Sequence, residues 1–329
     1  MIGEAINPAI TPQKKVGRFG DYLRICRLDH STKHIFIVPG IAFAYLLRGI
    51  HNQSIVTQIF LGFIAAVSIA SANYVINEWL DRDFDSYHPT KSQRSAVLCE
   101  LRGDVVWFEW LVLVCAGLSC AYLANITMFL ACCVFALQGL VYNVPPVRTK
   151  DKPYLDVISE SINNPVRLVI GWAMIDATSL PPGSIILSYW LGGAFLMGVK
   201  RLSEYREITA SHGRDLLSRY RASFGGYTET SLTVSCFIYA MLSSFFLAVF
   251  LLKYRVEYIL LMPLVTVLFG QYLAIAMKPN SSAQKPEKLF REFRLMITVS
   301  LLGIAFVVLS FINVPALQAL TEQRYILLD

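Results

Sequence analysis

From Asn77 to Arg94 the chain reads NEWLDRDFDSYHPTKSQR, four carboxylates followed by a basic tail, directly behind a long apolar run. On a helix continuing from that run, Asn77, Asp81 and Asp85 recur at i, i+4 and i+8 and share one face, with Glu78 beside them and Asp83 turned elsewhere. Two carboxylates about 6 Å apart repel by about 3 kcal/mol at an effective dielectric near 20, so such a row needs a shared positive charge. Hard oxygen donors at this spacing suit Mg2+, which keeps several waters and bridges carboxylates to substrate phosphates. Asn77, Glu78, Asp81 and Asp85 are therefore candidate metal ligands, and Asp81 and Asp85 are also candidate catalytic groups. The plainer reading is a solvated helix end whose acids pair with Arg82, Lys91 or Arg94.

A second polar stretch, YNVPPVRTKDKPYLDVISES from Tyr142 to Ser161, is kept from being helical at its start by Pro145, Pro146 and Pro153. Asp156 and Glu160 then fall at i, i+4 as the next apolar segment begins, and both join the candidate catalytic groups. Arg148, Lys150 and Lys152 lie on the same side. Arg167 sits two turns further in, where an unpaired charge costs about 2.5–3.5 kcal/mol in a bilayer. It reads either as a functional cation or as the ion-pair partner of Asp156 or Glu160. Tyr142 either bonds a phosphate or belongs to an interfacial aromatic belt. Two acid rows with basic loops on one face point to a diphosphate held by Mg2+ and Lys/Arg, which would stabilise charge developing on that leaving group. The chemistry implied is a metal-dependent transferase with at least one lipidic substrate.

The elements that must position these groups are membrane spans. The chain has 329 residues, 55% of them hydrophobic and only 16% charged, with mean hydropathy +0.51; soluble domains carry about 25% charged residues. Apolar stretches at 34–50, 55–78, 105–123, 125–142, 157–178, 185–200, 232–252, 256–277 and 295–315 are each near the ~20 residues that cross a bilayer. We expect an all-α polytopic membrane protein of about nine spans. The weak break at Ala124-Asn125 leaves eight or ten open.

With the N-terminus placed in the cytoplasm, the loops on its side hold 24 lysines and arginines and the opposite loops and tail hold four. That split follows the positive-inside rule. It puts the N-terminus and the site opening in the cytoplasm and the C-terminus across the membrane. The net charge of +6 is then an orientation signal, with anionic lipid or an anionic substrate as its partner. Nucleic acid is not expected, because the basic residues line short loops. The first 33 residues lack the apolar core of a signal peptide. Within them Val16, Phe19, Tyr22, Leu23 and Cys26 recur at helical spacing opposite Arg18, Arg24 and Arg27, the pattern of an amphipathic segment on the cytoplasmic surface. The seven cysteines form no C-x-x-C pair and read as small buried hydrophobes. No low-complexity linker divides the chain, so 1–329 is expected to be one domain.

NEWLDRDFD resembles the N-D-x-x-D-x-x-x-D motif of the UbiA superfamily of membrane-embedded prenyltransferases, with Glu78 in place of an aspartate. His88 to Arg94, HPTKSQR, is similar to the H-P-T-K-x-x-R continuation of that motif. Within the superfamily, several stretches resemble the polyprenyl-phosphate (decaprenyl-phosphate) phosphoribosyltransferase branch. They are RLDHSTKHIFIVPG from Arg27, PVRLVIG from Pro165, FLMGVKRLSEYRE from Phe195 and KPEKLFREFRLM from Lys285.

The resemblance implies a UbiA-like helical bundle with cytoplasmic cap loops. Asn77, Asp81 and Asp85 would carry Mg2+ and the diphosphate of a phosphoribosyl donor. Lys33, Lys91, Arg94 and Arg167 would hold phosphates, and Asp156 and Glu160 would orient the donor. Arg148, Lys150 and Tyr142 join the expected substrate-binding set, as do Lys200, Arg201 and Glu204 of the K-R-x-x-E stretch. The implied partners are membrane lipids, a polyprenyl lipid substrate, and a phosphorylated water-soluble donor or small aromatic acceptor. Prenyl transfer from a polyprenyl diphosphate to an aromatic or other small acceptor is the rival within the superfamily. A transporter is the rival outside it, and it would place its polar groups at the bilayer midplane. His88, just before Pro89, reads as a loop residue.

Overall fold

The structure, a computed structural model, describes residues 15–49, 54–279, 281–284, 289 and 291–321. Residues 1–14 of the expected amphipathic segment, and most of the stretch from Lys285 to Phe290, lie outside the described residues. The helices are α1 (Phe19–Ile25), α2 (Val38–Arg48), α3 (Ile55–Asp85), α4 (Ser95–Leu98), α5 (Gly103–Ala124), α6 (Ile126–Asn143) and α7 (Leu155–Ser161). They continue with α8 (Asn163–Ile175), α9 (Gly183–His212), α10 (Arg214–Tyr220), α11 (Glu229–Tyr254), α12 (Met262–Ala276), α13 (Phe293–Phe311) and α14 (Pro315–Thr321). A two-residue parallel pairing joins Lys15–Val16 to Cys99–Glu100.

Seven helices among the described residues are long and apolar enough to cross a membrane: α3, α5, α6, α9, α11, the run Val256–Ala276 that ends in α12, and α13. The segments expected as the first and fifth of nine spans differ from this form. Residues 28–37 wind as a 3₁₀ helix before α2 begins, with Pro39 in its first turn. The fifth is divided into α7 and α8, and α8 restarts with Pro165 in its first turn. Proline lacks the N–H that an interior position must donate, so each helix starts where that loss is free. The break at Ala124-Asn125 is real: Asn125 caps α6 by accepting from the Met128 N–H at 2.8 Å. It also donates to Gln58 and to the Ala173 carbonyl.

Small residues set the packing. Ala65, Ala66, Ala70 and Ala72 of α3 lie in one buried cluster with Ala121, Cys132, Phe135 and Ala173. Gly40 of α2 and Gly171 of α8 form a reciprocal close approach: a Cβ on either would run into the backbone carbonyl of Leu168 or Ile37 respectively. Such contacts let helices associate where lipid removes the hydrophobic drive between them. Ser188 of α9 and Ser243 of α11 each donate to the other's carbonyl, at 3.0 and 2.9 Å. Phe108, Leu111, Phe237, Phe245 and Ile304 face outward, the surface a hydrocarbon phase covers.

α3 runs on past its apolar stretch to Asp85, as its acid spacing requires, and α9 extends to His212 beyond the expected end at 200. α1 departs from the simple amphipathic reading. Ile25 and Cys26 pack with Val75, Ala96 and Val106, while Val16, Phe19 and Leu23 remain exposed. Arg27 takes a left-handed conformation, φ 52, and turns back toward α3.

Candidate active site

The last two turns of α3, the C-terminus of α6, the loop 144–154, α7 and the outer half of α9 meet at one polar end of the bundle. Asp81 accepts from Lys150 at 2.6 Å and Arg148 at 2.9 Å, and Asp85 accepts from Arg94 at 2.5 Å. Asp81 and Asp85 line one pocket with Lys91, Arg148, Lys150, Asp151, Tyr220 and Arg221. The loop's shape supplies two of those cations. Arg148 adopts φ 27, donates to the Asn143 carbonyl at 3.0 Å and pairs with Asp151 at 2.7 Å. Lys150 donates to Asn143 Oδ1 at 2.8 Å. Burial pushes the Lys150 ammonium down to about 8, although the Asp81 charge beside it pulls the other way.

The two remaining candidate ligands are placed differently. Asn77 donates to Asn143 Oδ1 at 2.5 Å, one helix turn below Asp81. Glu78 is buried, lies 3.7 Å from Arg27, and is not among the residues lining the pocket. The longer side chain is thus spent on anchoring the N-terminal segment to α3.

The second acid pair has its own partners. Asp156, fully buried, accepts from Tyr227 at 2.6 Å, Ser223 at 3.1 Å and Arg201 Nε at 3.1 Å. Glu160 accepts from Tyr142 at 2.7 Å and Arg201 at 3.2 Å. Arg201 also reaches Glu204 at 3.3 Å. Tyr142 and Arg221 join this pair to the pocket through an Arg221 Nη2–Tyr142 hydrogen bond of 2.6 Å.

Sequence reasoning understated His88. It is buried, and its Nδ1 accepts from the Thr90 and Lys91 N–H groups at 3.2 and 3.3 Å. Its Nε2 therefore carries the proton and donates to Glu204 at 3.2 Å. Burial lowers its pKa, against the Glu204 hydrogen bond that raises it, so the ring is neutral near pH 7. The ring also packs edge-on against Tyr220 at 4.6 Å. Arg221, Ser223, Tyr227 and Asn143 carried no local signal: each acquires its role from a residue far along the chain or in the next turn of a loop.

A third group lies deeper. Arg167 is buried, stands 4.9 Å from the Phe135 ring, and donates to the Asn163 carbonyl at 3.2 Å. Of the two readings of Arg167, the ion pair with Asp156 or Glu160 is not found among the described residues: both acids are met by Arg201. Arg167 Nε, Asn163 Oδ1 and His34 Nδ1 are buried without hydrogen-bond partners among the described residues. Lys33 sits 5.4 Å over the Tyr74 ring, and the charges of Lys33 and Lys200 both reach Glu160.

Among the described residues no three His, Cys, Asp or Glu side chains form a metal cage. The donor set fits the other mode of Mg2+ binding, in which one or two carboxylates share the ion with water and substrate phosphates. Asp81 and Asp85, four residues apart at one pocket wall, meet that requirement.

Apolar helices around a charged site at one end define an integral multi-pass membrane protein. Residues 36–297 match the UbiA prenyltransferase family, and the chain belongs to that family. Nodulation protein NoeC of Azorhizobium caulinodans is 27% identical over 203 residues, 61% of this chain and 62% of NoeC. Lycopene elongase/hydratase of Haloarcula japonica is 28% identical over 160 residues, 48% of this chain and 51% of that protein. The chain thus spans about half to six tenths of the length of these curated relatives. A UbiA homolog from Archaeoglobus fulgidus, solved bound to GPP and Mg2+, shares the fold with TM-score 0.66 and 21% identity, over 88% of this chain and 99% of that one. Digeranylgeranylglyceryl phosphate synthase shares it with TM-score 0.60 and 13% identity, over 88% and 98%.

Proposed function

We propose that this chain is a Mg2+-dependent membrane transferase that displaces diphosphate, moving phosphoribose from phosphoribosyl diphosphate to a polyprenyl phosphate. The observation that carries the reading is the presence of two basic groups rather than one. Lys91, Arg148, Lys150 and Arg221 surround Asp81 and Asp85 and suit a departing diphosphate. Lys33, Arg167 and Lys200, whose charges each act on Glu160, make up the second group. The carboxylate they share, Glu160, is already bonded to Tyr142 and Arg201. An acceptor that itself carries a phosphate uses that second group; a neutral acceptor leaves its charge unanswered at a cost.

In this reading Asp81 and Asp85 would hold Mg2+, with Asn77, whose amide nitrogen is on Asn143 one turn below the pocket, offering its oxygen as a neutral donor; the ion would supply neutralisation of charge on the leaving diphosphate. Arg148, Lys150, Arg94 and Lys91 exchange their present carboxylate contacts for diphosphate oxygens. Lys33, Arg167 and Lys200 orient the lipid phosphate. One of its oxygens bonds to the ribose anomeric carbon as the bond from that carbon to diphosphate breaks. The attacking oxygen is already anionic, so no side chain has to take a proton. Tyr142, Glu160, Arg201 and Glu204 hold the two basic groups at a fixed separation. The whole chain acts as one domain. Its N-terminus and site opening are cytoplasmic and its C-terminus lies across the membrane, as the lysine and arginine split supports.

Prenyl transfer to a small acceptor is the second reading. It is supported by the similarity to lycopene elongase/hydratase and by fold relatives solved with GPP or DMAPP. A donor competition separates the two. Purified protein in detergent with Mg2+ is given phosphoribosyl diphosphate plus a polyprenyl phosphate, and separately a prenyl diphosphate plus 4-hydroxybenzoate. Diphosphate release with a lipid-linked phosphoribose in the first mixture is the expected result. Product only in the second overturns it in favour of prenyl transfer.

A further inference from the structure

We infer that Asp156 is a positioning residue, the clasp that fastens the 221–227 segment over the diphosphate pocket and so delivers Arg221 to it, rather than a metal ligand. This rests on the proposed diphosphate site, but the geometry behind it is independent of any ligand. A carboxylate offers about four acceptor sites. Asp156 spends Oδ1 on Tyr227, spends Oδ2 on Ser223 and Arg201, and has Arg221 Nε 3.6 Å from Oδ2. One acceptor site on Oδ1 is left over, but with no exposed surface Asp156 has no path by which to offer it to a cation.

Two of those donors, Tyr227 and Ser223, come from one short segment, and that segment is fitted to the turn before α7 at several points. The Tyr227 hydroxyl donates to Asp156 and also accepts from the Tyr154 N–H at 2.6 Å. Tyr154 has φ 65, a conformation unfavourable for a residue with a side chain and held only by its surroundings. The Tyr154 and Tyr227 rings meet edge to face at 5.2 Å. Gly226 lies so close to Pro153 that a Cβ there would strike the proline ring.

The clasp's product is Arg221. Its Nη2 is fixed by the Tyr142 hydroxyl at 2.6 Å, while its Nε has no hydrogen-bond partner among the described residues. Its charge reaches Asp81 in the pocket and Glu160 beyond it. Among the described residues Asp156 is the one carboxylate that binds both Ser223 and Tyr227, so its loss leaves Arg221 held mainly by the Tyr142 hydroxyl and by the packing of Tyr227 and Gly226 on the turn before α7. Tyr227, which does not line the pocket, should therefore matter to diphosphate binding.

The test is binding of inorganic diphosphate to the full chain in detergent at several Mg2+ concentrations, with amide hydrogen exchange of 213–227 followed in parallel. The proteins are the wild type, Tyr227→Phe, Asp156→Asn and Asp81→Asn. Tyr227→Phe and Asp156→Asn are expected to weaken diphosphate binding about tenfold, the loss typical of a buried charge-assisted hydrogen bond. Both should speed exchange at 221–227 and leave the Mg2+ requirement where the wild type has it. Asp81→Asn should raise that requirement without loosening the segment. An Asp156→Asn variant that raises the Mg2+ requirement, or a Tyr227→Phe variant with unchanged binding and exchange, overturns the clasp. If Asp156→Asn fails to fold, Tyr227→Phe alone carries the test. A wild type that binds no diphosphate defeats the functional reading instead, and the exchange comparison still decides the clasp.

Discussion

The two acid pairs of this protein have the same spacing and opposite circumstances. Asp81 and Asp85 close α3, line the pocket, and are met by cations from two loops. Asp156 and Glu160 open α7 and are met largely by fixed hydroxyls and by Arg201. An i, i+4 spacing says that two carboxylates share a face. It does not say whether that face looks into a cavity or into a neighbouring segment. The first pair has partners a phosphate can replace; Asp156, in the second, has partners that replace water for good.

The sharpest way to break the comparison is to neutralise the first pair. Asp81→Asn and Asp85→Asn should each cut turnover by on the order of a thousandfold while the protein elutes from a sizing column in detergent like the wild type. Full activity in either variant would remove Mg2+ from the proposal. Next in size, Arg167→Met should raise the KM for the lipid phosphate by about a hundredfold and leave the KM for the donor nearly unchanged. Equal effects on both substrates would mean that the two basic groups do not serve separate phosphates.

A smaller effect follows from Lys150. Its ammonium, pushed down to about 8 by burial, is charged below that pH and loses its proton as pH rises through it. Donor affinity should therefore fall several-fold between pH 7.5 and 9, roughly as the charged fraction falls. Lys150→Arg, whose side chain stays charged, should flatten that limb of the profile. The smallest effect concerns His88. Its pKa is lowered by burial, so the folded state favours the neutral ring; the stability this gives is present above the ordinary histidine value and is lost as pH falls below it. Limited proteolysis should show the 204–220 region opening faster at pH 5 than at pH 7, by a few-fold, and His88→Gln should reduce that pH dependence. An unchanged dependence in the variant would place the sensitive group elsewhere.

Much of the site was legible from local pattern. The row on α3 was readable because an unbroken helix carries its spacing into three dimensions without help. The same holds for the break at Asn125, whose side chain caps the next helix. Arg167 was legible as an anomaly, since an arginine between Val166 and Leu168 is costly wherever it lies, but its lack of a carboxylate partner was not. That depended on Arg201, 34 positions further on, reaching Asp156 and Glu160 first. Glu78 shows the same limit: its place in the motif put it with Asp81, whereas the left-handed turn at Arg27 brought it a different partner.

By itself the sequence determined that this is a helical membrane protein and which side chains share a face. Those properties follow from hydropathy summed over a bilayer's thickness and from a period of 3.6 residues, both local quantities. Only the tertiary structure decided which acids face a cavity, that Arg167 meets no carboxylate among the described residues, and that Tyr220 and Arg221 line the same pocket as Asp81. Those outcomes are competitions among charges brought together from distant parts of the chain, and a buried ion pair is settled by geometry that no short window of sequence contains.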